Sequence, residues 1–331
     1  MRHNTTLKKI SHILDLSIST VSRALKDHPD ISDRTKKKVL ELASTMEYEP
    51  NTYAINLRTN SSKVFTIIVP SVTYYFYDSF ISSIEEECRK TGYSLMILQS
   101  GDNTDTELNN LKLSRQNRVS GVFACITPNT TDINPFLKLG DIDIPLIFFD
   151  KVPEYEACNK VCVADTQAAK IAAETILTKK KKKVLGLFGN PNMSITKKRL
   201  DAFTSAFKQP GIKTKLETDF ALSADDARNK TMQYLTSKNK PDTIFCMSDE
   251  ILTGTMKAIQ ELKLTLPKGI SVISISNGLI PKLYYPEITF VETSGYKLGK
   301  LAFARMLACL SGSTFMQEQT VESVLVEGGS I

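Results

Sequence analysis

The stretch "LSISTVSRAL" (Leu16–Leu25) repeats its apolar residues at helical spacing, with Leu16, Val21, Ala24 and Leu25 on an inward face. The other face carries small hydroxyls (Ser17, Ser19, Thr20, Ser22), an outward Ile18 and one long cation, Arg23. A helix is predicted on either side. Thr6 is placed to cap the first, whose apolar stripe is Leu7, Ile10, Ile13 and Leu14. "DLS" (15–17) reads as a tight turn in which Ser17 caps the second helix. "HPD" (28–30) breaks the chain, and Ser32 then caps a third helix with Val39, Leu40, Leu42, Ala43 and Met46 inward. Pro50 pushes Glu49 out of helical geometry. "TYAINLRTNSSK" (52–63) follows as a hinge with room for a short helix from Thr52 to Leu57.

Charge is concentrated in this segment. Residues 1–60 hold ten Lys or Arg against seven Asp or Glu, which is +3 of the whole chain's +6. A small basic domain on a near-neutral body suits a polyanionic partner. The chain has 331 residues, 41% of them hydrophobic and 24% charged, the composition of a globular protein with more than one domain. No apolar run reaches the ~18 residues of a membrane span, and "MRHNTTLKKI" lacks the apolar core of a signal peptide. A cytoplasmic location without membrane attachment is therefore expected. The six cysteines are scattered without a C-x-x-C pair and read as free thiols. All three histidines, His3, His12 and His28, precede residue 29. The rest of the chain thus has no histidine to serve as base or metal ligand. Neither enzymatic activity, nor a cofactor, nor a metal is expected.

From Val64 the pattern becomes strand–helix alternation. Apolar strands are predicted at 64–70, 94–99, 121–126, 145–150, 160–164, 183–188, 242–247 and 270–275. Between them lie helix-like segments such as "DSFISSIEEECRKTG" and "TQAAKIAAETIL". Continuous apolar strands joined by helices argue for parallel sheets covered on both faces. Such a length of chain favours two lobes over one sheet. A ligand cleft is then expected at the carboxyl ends of the strands, between the lobes. The lysine run Lys179–Lys183 reads as a solvated loop, and "GLFGN" (186–190) is not a dinucleotide fingerprint.

Residues 6–51, "TLKKISHILDLSISTVSRALKDHPDISDRTKKKVLELASTMEYEPN", resemble the DNA-binding headpiece of the LacI/GalR family of bacterial transcription regulators nearly position by position. "AINLRT" (54–59) resembles its hinge helix. "IIVPSVTYYFYDSFISSIEEE", "VADTQAA", "RLDAFTSAF" and "SDEILTGTMKAIQELKLTLPKGISVI" resemble its core in order. The resemblance implies an all-α helix-turn-helix headpiece (1–50) and a hinge (51–63). A two-lobed α/β core like the periplasmic binding proteins (64–331) follows. Lobe 1 would span about 64–163 and 292–331, and lobe 2 about 164–291. It implies a transcriptional regulator, by family habit a repressor, that binds double-stranded operator DNA as a homodimer under control of a small sugar-like effector.

In a helix-turn-helix the second helix lies in the major groove. Family position makes Ile18, Ser19 and Arg23 the base readers, with Arg23 able to reach guanine O6 and N7. Ser17, Thr20, Ser32, Thr35, Tyr48 and Asn51 would make phosphate or positioning contacts, joined by Thr6, Ser22, Lys26 and Arg58. Lys36 would add a phosphate contact. Leu57 matches the hinge leucine that wedges into the minor groove. Asp15 departs from the family's usual turn glycine, but Asp tolerates left-handed geometry.

For the effector, the resemblance points to Phe76 and Tyr77 in lobe 1 and the stacking ring Phe220 in lobe 2. It adds Thr127, Asp150, Met193 and Arg199, then Ser248, Asp249, Ser276 and Asn277. Ser276 stands where the family usually has an aspartate. That substitution favours an anionic sugar, with Arg199 as the partner of its charge. A transport-system solute receptor shares the core but has no use for residues 1–60. A sugar kinase or dehydrogenase would need a phosphate loop or fingerprint that the chain lacks.

Overall fold

The computed structural model describes residues 6–49 and 62–331. The hinge, with Asn51, Leu57 and Arg58, lies outside the described residues. The chain divides into two compact units, one ending at Ser62 and the other beginning at Lys63.

Among its described residues the first unit has three helices: α1 (Leu7–Leu14), α2 (Ile18–Ala24) and α3 (Asp33–Thr45). Each starts on a hydroxyl cap, whose oxygen accepts a backbone N–H three residues on. These are Thr6 from Lys9, Ser17 from Thr20 and Ser32 from Thr35. A free helix start has four unpaired N–H groups, and each cap satisfies one. Ile10, Val21, Ala24, Val39 and Ala43 form the core, with Leu7, Leu14, Leu16, Leu25 and Met46 packed against it. Ile13 and Leu40, expected inward, are each 52% exposed. So small a unit covers only the narrow stripe nearest its centre, and residues at the stripe's edge stay in water. Asp15 ends α1 in the left-handed conformation, at φ 53°.

The second unit contains two six-stranded sheets. Its elements are β1 (Val64–Val69), α4 (Tyr75–Thr91), β2 (Ser94–Gln99), α5 (Thr104–Gln116), β3 (Gly121–Ala124), α6 (Asn134–Leu137), β4 (Leu146–Phe149) and β5 (Asn159–Val163). Then come α7 (Asp165–Thr178), β6 (Lys183–Phe188), α8 (Ser194–Phe207), β7 (Lys215–Phe220), α9 (Ala224–Thr236), β8 (Thr243–Cys246) and α10 (Asp249–Glu261). Last are β9 (Ser271–Ser276), β10 (Thr289–Glu292), α11 (Gly295–Leu310), β11 (Glu318–Val321) and β12 (Val324–Val326).

The first sheet runs β11-β5-β4-β3-β1-β2 and the second β12-β10-β9-β8-β6-β7. All pairings are parallel except β10 with β12, where Val291 faces Leu325. The chain thus passes between lobes after β5, after β10 and after β11. The last strand, β12, belongs to the second sheet, so residues 292–331 do not all return to lobe 1 as expected from the sequence. β7, "KLETDF", has no apolar run to betray it. It is the edge of its sheet, and half its side chains face water.

Helix α11 lies against α4 through glycines. A Cβ at Gly295 would collide with the Phe76 carbonyl and the Ser79 hydroxyl, and one at Gly299 would sit 2.8 Å from the Phe80 carbonyl. No helix among the described residues is long and apolar enough to cross a membrane.

The left-handed turn is open to a direct test. Asp15→Val places a β-branched residue at positive φ and should cost about 1–2 kcal/mol. Asp15→Gly should leave stability equal or higher. Hydrogen exchange of the α1 and α2 amides measures both, and equal protection in the Val variant would contradict the argument.

Candidate functional site

Two surfaces carry polar chemistry. On the N-terminal unit, burying Val21 and Ala24 turns Ile18, Ser19 and Arg23 outward, with Ile18 48% exposed. The Ser17 hydroxyl lies 2.7 Å from Ser19 Oγ and 2.8 Å from Thr20 Oγ1, forming a compact polar start to α2. Ser32 and Thr35 make a similar pair at 2.9 Å at the start of α3. Both helix starts present N–H groups and hydroxyls of the kind that hold phosphate oxygens. Arg23 extends beside Asp30, 3.8 Å away, and Lys26 is exposed. Lys36 differs from the expectation. Its ammonium is bound to Asp27 at 2.7 Å and only 15% exposed, so it serves the fold. That contact holds the Asp27 carboxyl below its ordinary value. The Tyr48 ring packs half-buried on the small core, and burial raises its phenol.

In the second unit, a cavity of about 580 Å³ opens where parallel strands of both sheets end. The loops after β1, β2, β3 and β4 reach it from one lobe, and those after β6, β7, β8 and β9 from the other. A strand's carboxyl end leads straight into a helix start, so these loops bring polar groups and N–H donors to one place. Phe76, Asp150, Met193, Arg199, Ser248 and Asp249 line it, with Tyr77, Ser276 and Asn277.

Thr127 and Phe220 do not line it. The Thr127 N–H donates to Glu107 Oε1 at 2.8 Å and its hydroxyl meets Thr130 at 2.8 Å, leaving Pro128 and Asn129 to face the cavity. Glu107 is fully buried there, and burial raises its carboxyl although the Thr127 N–H and the Thr130 hydroxyl both donate to it. Phe220 packs on the core of the second lobe, while Ala221 and Leu222 line the cavity. Sequence reasoning misses Tyr74, Tyr75, Asp102, Lys151 and Glu250, all of which line it. Their one signal is adjacency to residues already singled out, at the carboxyl ends of predicted strands.

Asp150 sits at φ 57° and is 7% exposed. Its Oδ2 accepts from the Tyr77 hydroxyl at 2.7 Å, and Tyr77 also touches Cys125 Sγ at 3.3 Å. Tyr77 therefore supports Asp150, its own hydroxyl already engaged. Burial pushes its phenol well above the ordinary value and the Cys125 thiol up to about 12.

Arg199 is the main departure. Its Nε donates to Asp165 Oδ1 at 2.7 Å, its Nη2 lies 2.7 Å from the same oxygen, and Nη1 donates to the Met247 carbonyl at 2.7 Å. Both side chains are almost fully buried. Burial raises the Asp165 carboxyl, against the pull of Arg199. The guanidinium is thus already neutralised and is not the free partner expected for an anionic sugar. Nor is the acid lost at Ser276 missing from the site. The Ser276 hydroxyl donates to Asp249, and the Asn277 N–H donates to the same carboxylate at 3.0 Å.

Asn277 also bridges the lobes. Its amide nitrogen donates to the Tyr75 carbonyl at 3.2 Å, and its oxygen accepts from Ser79 Oγ at 3.3 Å and from the Gly295 N–H at 3.0 Å. Among the described residues no cluster of His, Cys, Asp and Glu is placed to hold a metal ion.

Removing one partner of the buried pair strands the other charge. Arg199→Ala should therefore destabilise the core by about 3–5 kcal/mol, whereas Asp165→Leu with Arg199→Met should recover much of it. Denaturant unfolding measures both, and an unchanged midpoint in Arg199→Ala would refute the pairing.

Known proteins show the same division. Residues 6–51 match the family model "Bacterial regulatory proteins, lacI family", and residues 65–273 match "Periplasmic binding protein domain". The chain is 26% identical over 302 residues to the HTH-type transcriptional repressor PurR of Photobacterium profundum, covering 90% of this chain and 89% of that protein. It is 23% identical over 320 residues to the NTD biosynthesis operon regulator NtdR of Bacillus subtilis, covering 96% of each. Among solved structures it is similar to the Lac repressor dimer bound to operator and the anti-inducer ONPF. There the TM-score is 0.87 at 20% identity, over 98% of both chains. It is also similar to a periplasmic binding protein/LacI transcriptional regulator from Alkaliphilus metalliredigens QYMF complexed with D-xylulofuranose. That TM-score is 0.70 at 19% identity, over 81% of this chain and 98% of that one.

Proposed function

The chain belongs to the LacI family of bacterial regulatory proteins, and from that premise we propose a cytoplasmic transcriptional repressor that binds a pseudo-palindromic operator as a homodimer. A small sugar-like effector held in the cleft controls it. The observation that carries the reading is the pair of surfaces: a capped helix presenting Ile18, Ser19 and Arg23, and a cavity at the strand ends. The relatives named as repressors and operon regulators support the regulatory role, and no enzymatic family appears among them.

Ile18 offers an apolar surface for a thymine methyl, and Arg23 a fork for guanine O6 and N7. Ser17, Thr20, Ser22, Ser32 and Thr35 are short enough to let the backbone approach phosphates, with Thr6, Lys26 and Tyr48 beside them. Asn51, Leu57 and Arg58 complete the reading as hinge contacts. One headpiece reads only a few base pairs, so useful specificity needs two headpieces related by two-fold symmetry. Large apolar side chains left in solvent support the dimer: Ile97 on the edge strand β2, and Leu279, Leu283 and Tyr285 after β9.

The switch follows from the lobe crossings. A ligand that closes the cleft changes the angle between lobes, and Asn277 carries a change at Ser276 and Asp249 to the starts of α4 and α11. Linkage requires effector and operator to alter each other's affinity by one factor, typically ~5–150-fold.

Arg23→Ala should relax base preference at one symmetric operator position, while Lys26→Ala should weaken binding evenly and flatten the salt dependence. Random-sequence operator selection followed by mobility shift reads both. An unchanged consensus in Arg23→Ala would remove Arg23 from the base readers, and binding of single half-sites by monomers would refute the dimer.

A further inference from the structure

The charge around the cavity is unbalanced. Four carboxylates line it (Asp102, Asp150, Asp249, Glu250) against two cations, Lys151 and Arg199. Lys151 Nζ lies 3.4 Å from Asp102, and Arg199 is held by Asp165 from behind the wall. Asp150, Asp249 and Glu250 make no direct ion pair among the described residues, although Lys151 lies near enough to Asp150 and Glu250, and Arg199 to Asp249, to be felt. Asp249 and Glu250 stand in the first turn of α10, whose N-terminus steadies them, and Asp249 also has the two donors from Ser276 and Asn277.

Asp150 has less. Its Oδ2 is met by Tyr77, with Cys125 Sγ 3.9 Å away, while Oδ1 has no hydrogen-bond partner among the described residues. This carboxylate is nine-tenths buried, held on a left-handed backbone, and reaches the cavity with one oxygen unmet. That oxygen is open to the cavity rather than sealed in the core, and a ligand that brings a charged donor would meet it. Around the same opening, Tyr74, Tyr75 and Phe76 supply aromatic faces. Such faces take the apolar side of a sugar ring or a cation equally well.

Resting on the reading of this cavity as the effector site, we propose that the effector is an amino sugar, a polyol whose protonated amine is bound by Asp150 with Glu250 completing the acidic wall. An ammonium offers three donors and no acceptor, which matches an unmet carboxylate oxygen. A phosphate or carboxylate would instead face four carboxylates and a guanidinium already spent on Asp165.

The test is titration calorimetry of the full chain at neutral pH with matched probes: glucosamine, galactosamine and mannosamine, each beside its parent hexose and the hexose 6-phosphate. At least one hexosamine should bind about tenfold or more tighter than its parent, the worth of a charge-assisted hydrogen bond. Asp150→Asn should erase that preference, so that hexosamine and parent hexose bind alike. Glu250→Gln should reduce it in the same direction and guards against misfolding of the Asp150 variant. Equal binding of parent and hexosamine, tighter binding of the phosphate, or no binding by any probe would overturn the amine. Mobility shift with the same preparation separates this from the regulator reading. Operator binding with a neutral or phosphorylated preference sinks the amine alone. A bound hexosamine that leaves operator affinity unchanged sinks the switch and leaves the ligand class standing.

Discussion

One guanidinium holds the floor of the cleft. Arg199 comes from α8, Asp165 opens α7, and the Met247 carbonyl immediately follows β8, so the contacts of a single side chain tie three parts of the second lobe together at the carboxyl end of its sheet. Taking both charges out of water is expensive and is offset only when geometry and extra hydrogen bonds are good. Here Nε, Nη1 and Nη2 are all directed at acceptors 2.7 Å away. The consequence reaches function. Because Arg199 is compensated from inside, it adds little net charge to the cleft, whose wall carries four carboxylates against two cations.

The wall depends on a second device, the Asn277 amide. It ties the loop after β9 to two helix starts of the other lobe, while its own N–H is held by Asp249. Gly295 allows this, because any side chain there would strike α4 and push the helix starts apart. A ligand touching Asp249 or Ser276 therefore acts on a loop already gripping the opposite lobe. That is the kind of contact through which differential binding can shift two packings of the same core.

The headpiece works by economy. Five buried residues make the core of its described part, too few to bury every apolar side chain, so its stability leans on the hydroxyl caps. The same hydroxyls that close the helix starts lie at the surface where α2 and α3 begin, so Ser17 and Ser32 can serve both the fold and a phosphate.

Local spacing sets the headpiece caps and the strand–helix alternation of the core, and the family resemblance adds the left-handed turn at Asp15, so all three are legible in the chain. Thr6, Ser17 and Ser32 announce helix starts by residue type, and apolar runs such as "VLGLF" read as buried strands. Long-range partnership decides the rest. Arg199 and Asp165 are thirty-four positions apart, and nothing local reveals that one neutralises the other. Lys36 reads as a phosphate ligand until the fold brings Asp27 to it, and Thr127 reads as a cavity residue until Glu107 claims its N–H. Strand β7 is hidden because it lies at a sheet edge with half its side chains in water and no continuous apolar run, and β12, "VLV", is only three residues long. Charge balance in a cleft is a sum over loops from both sheets, so it takes the folded chain to show how many acids and cations meet there.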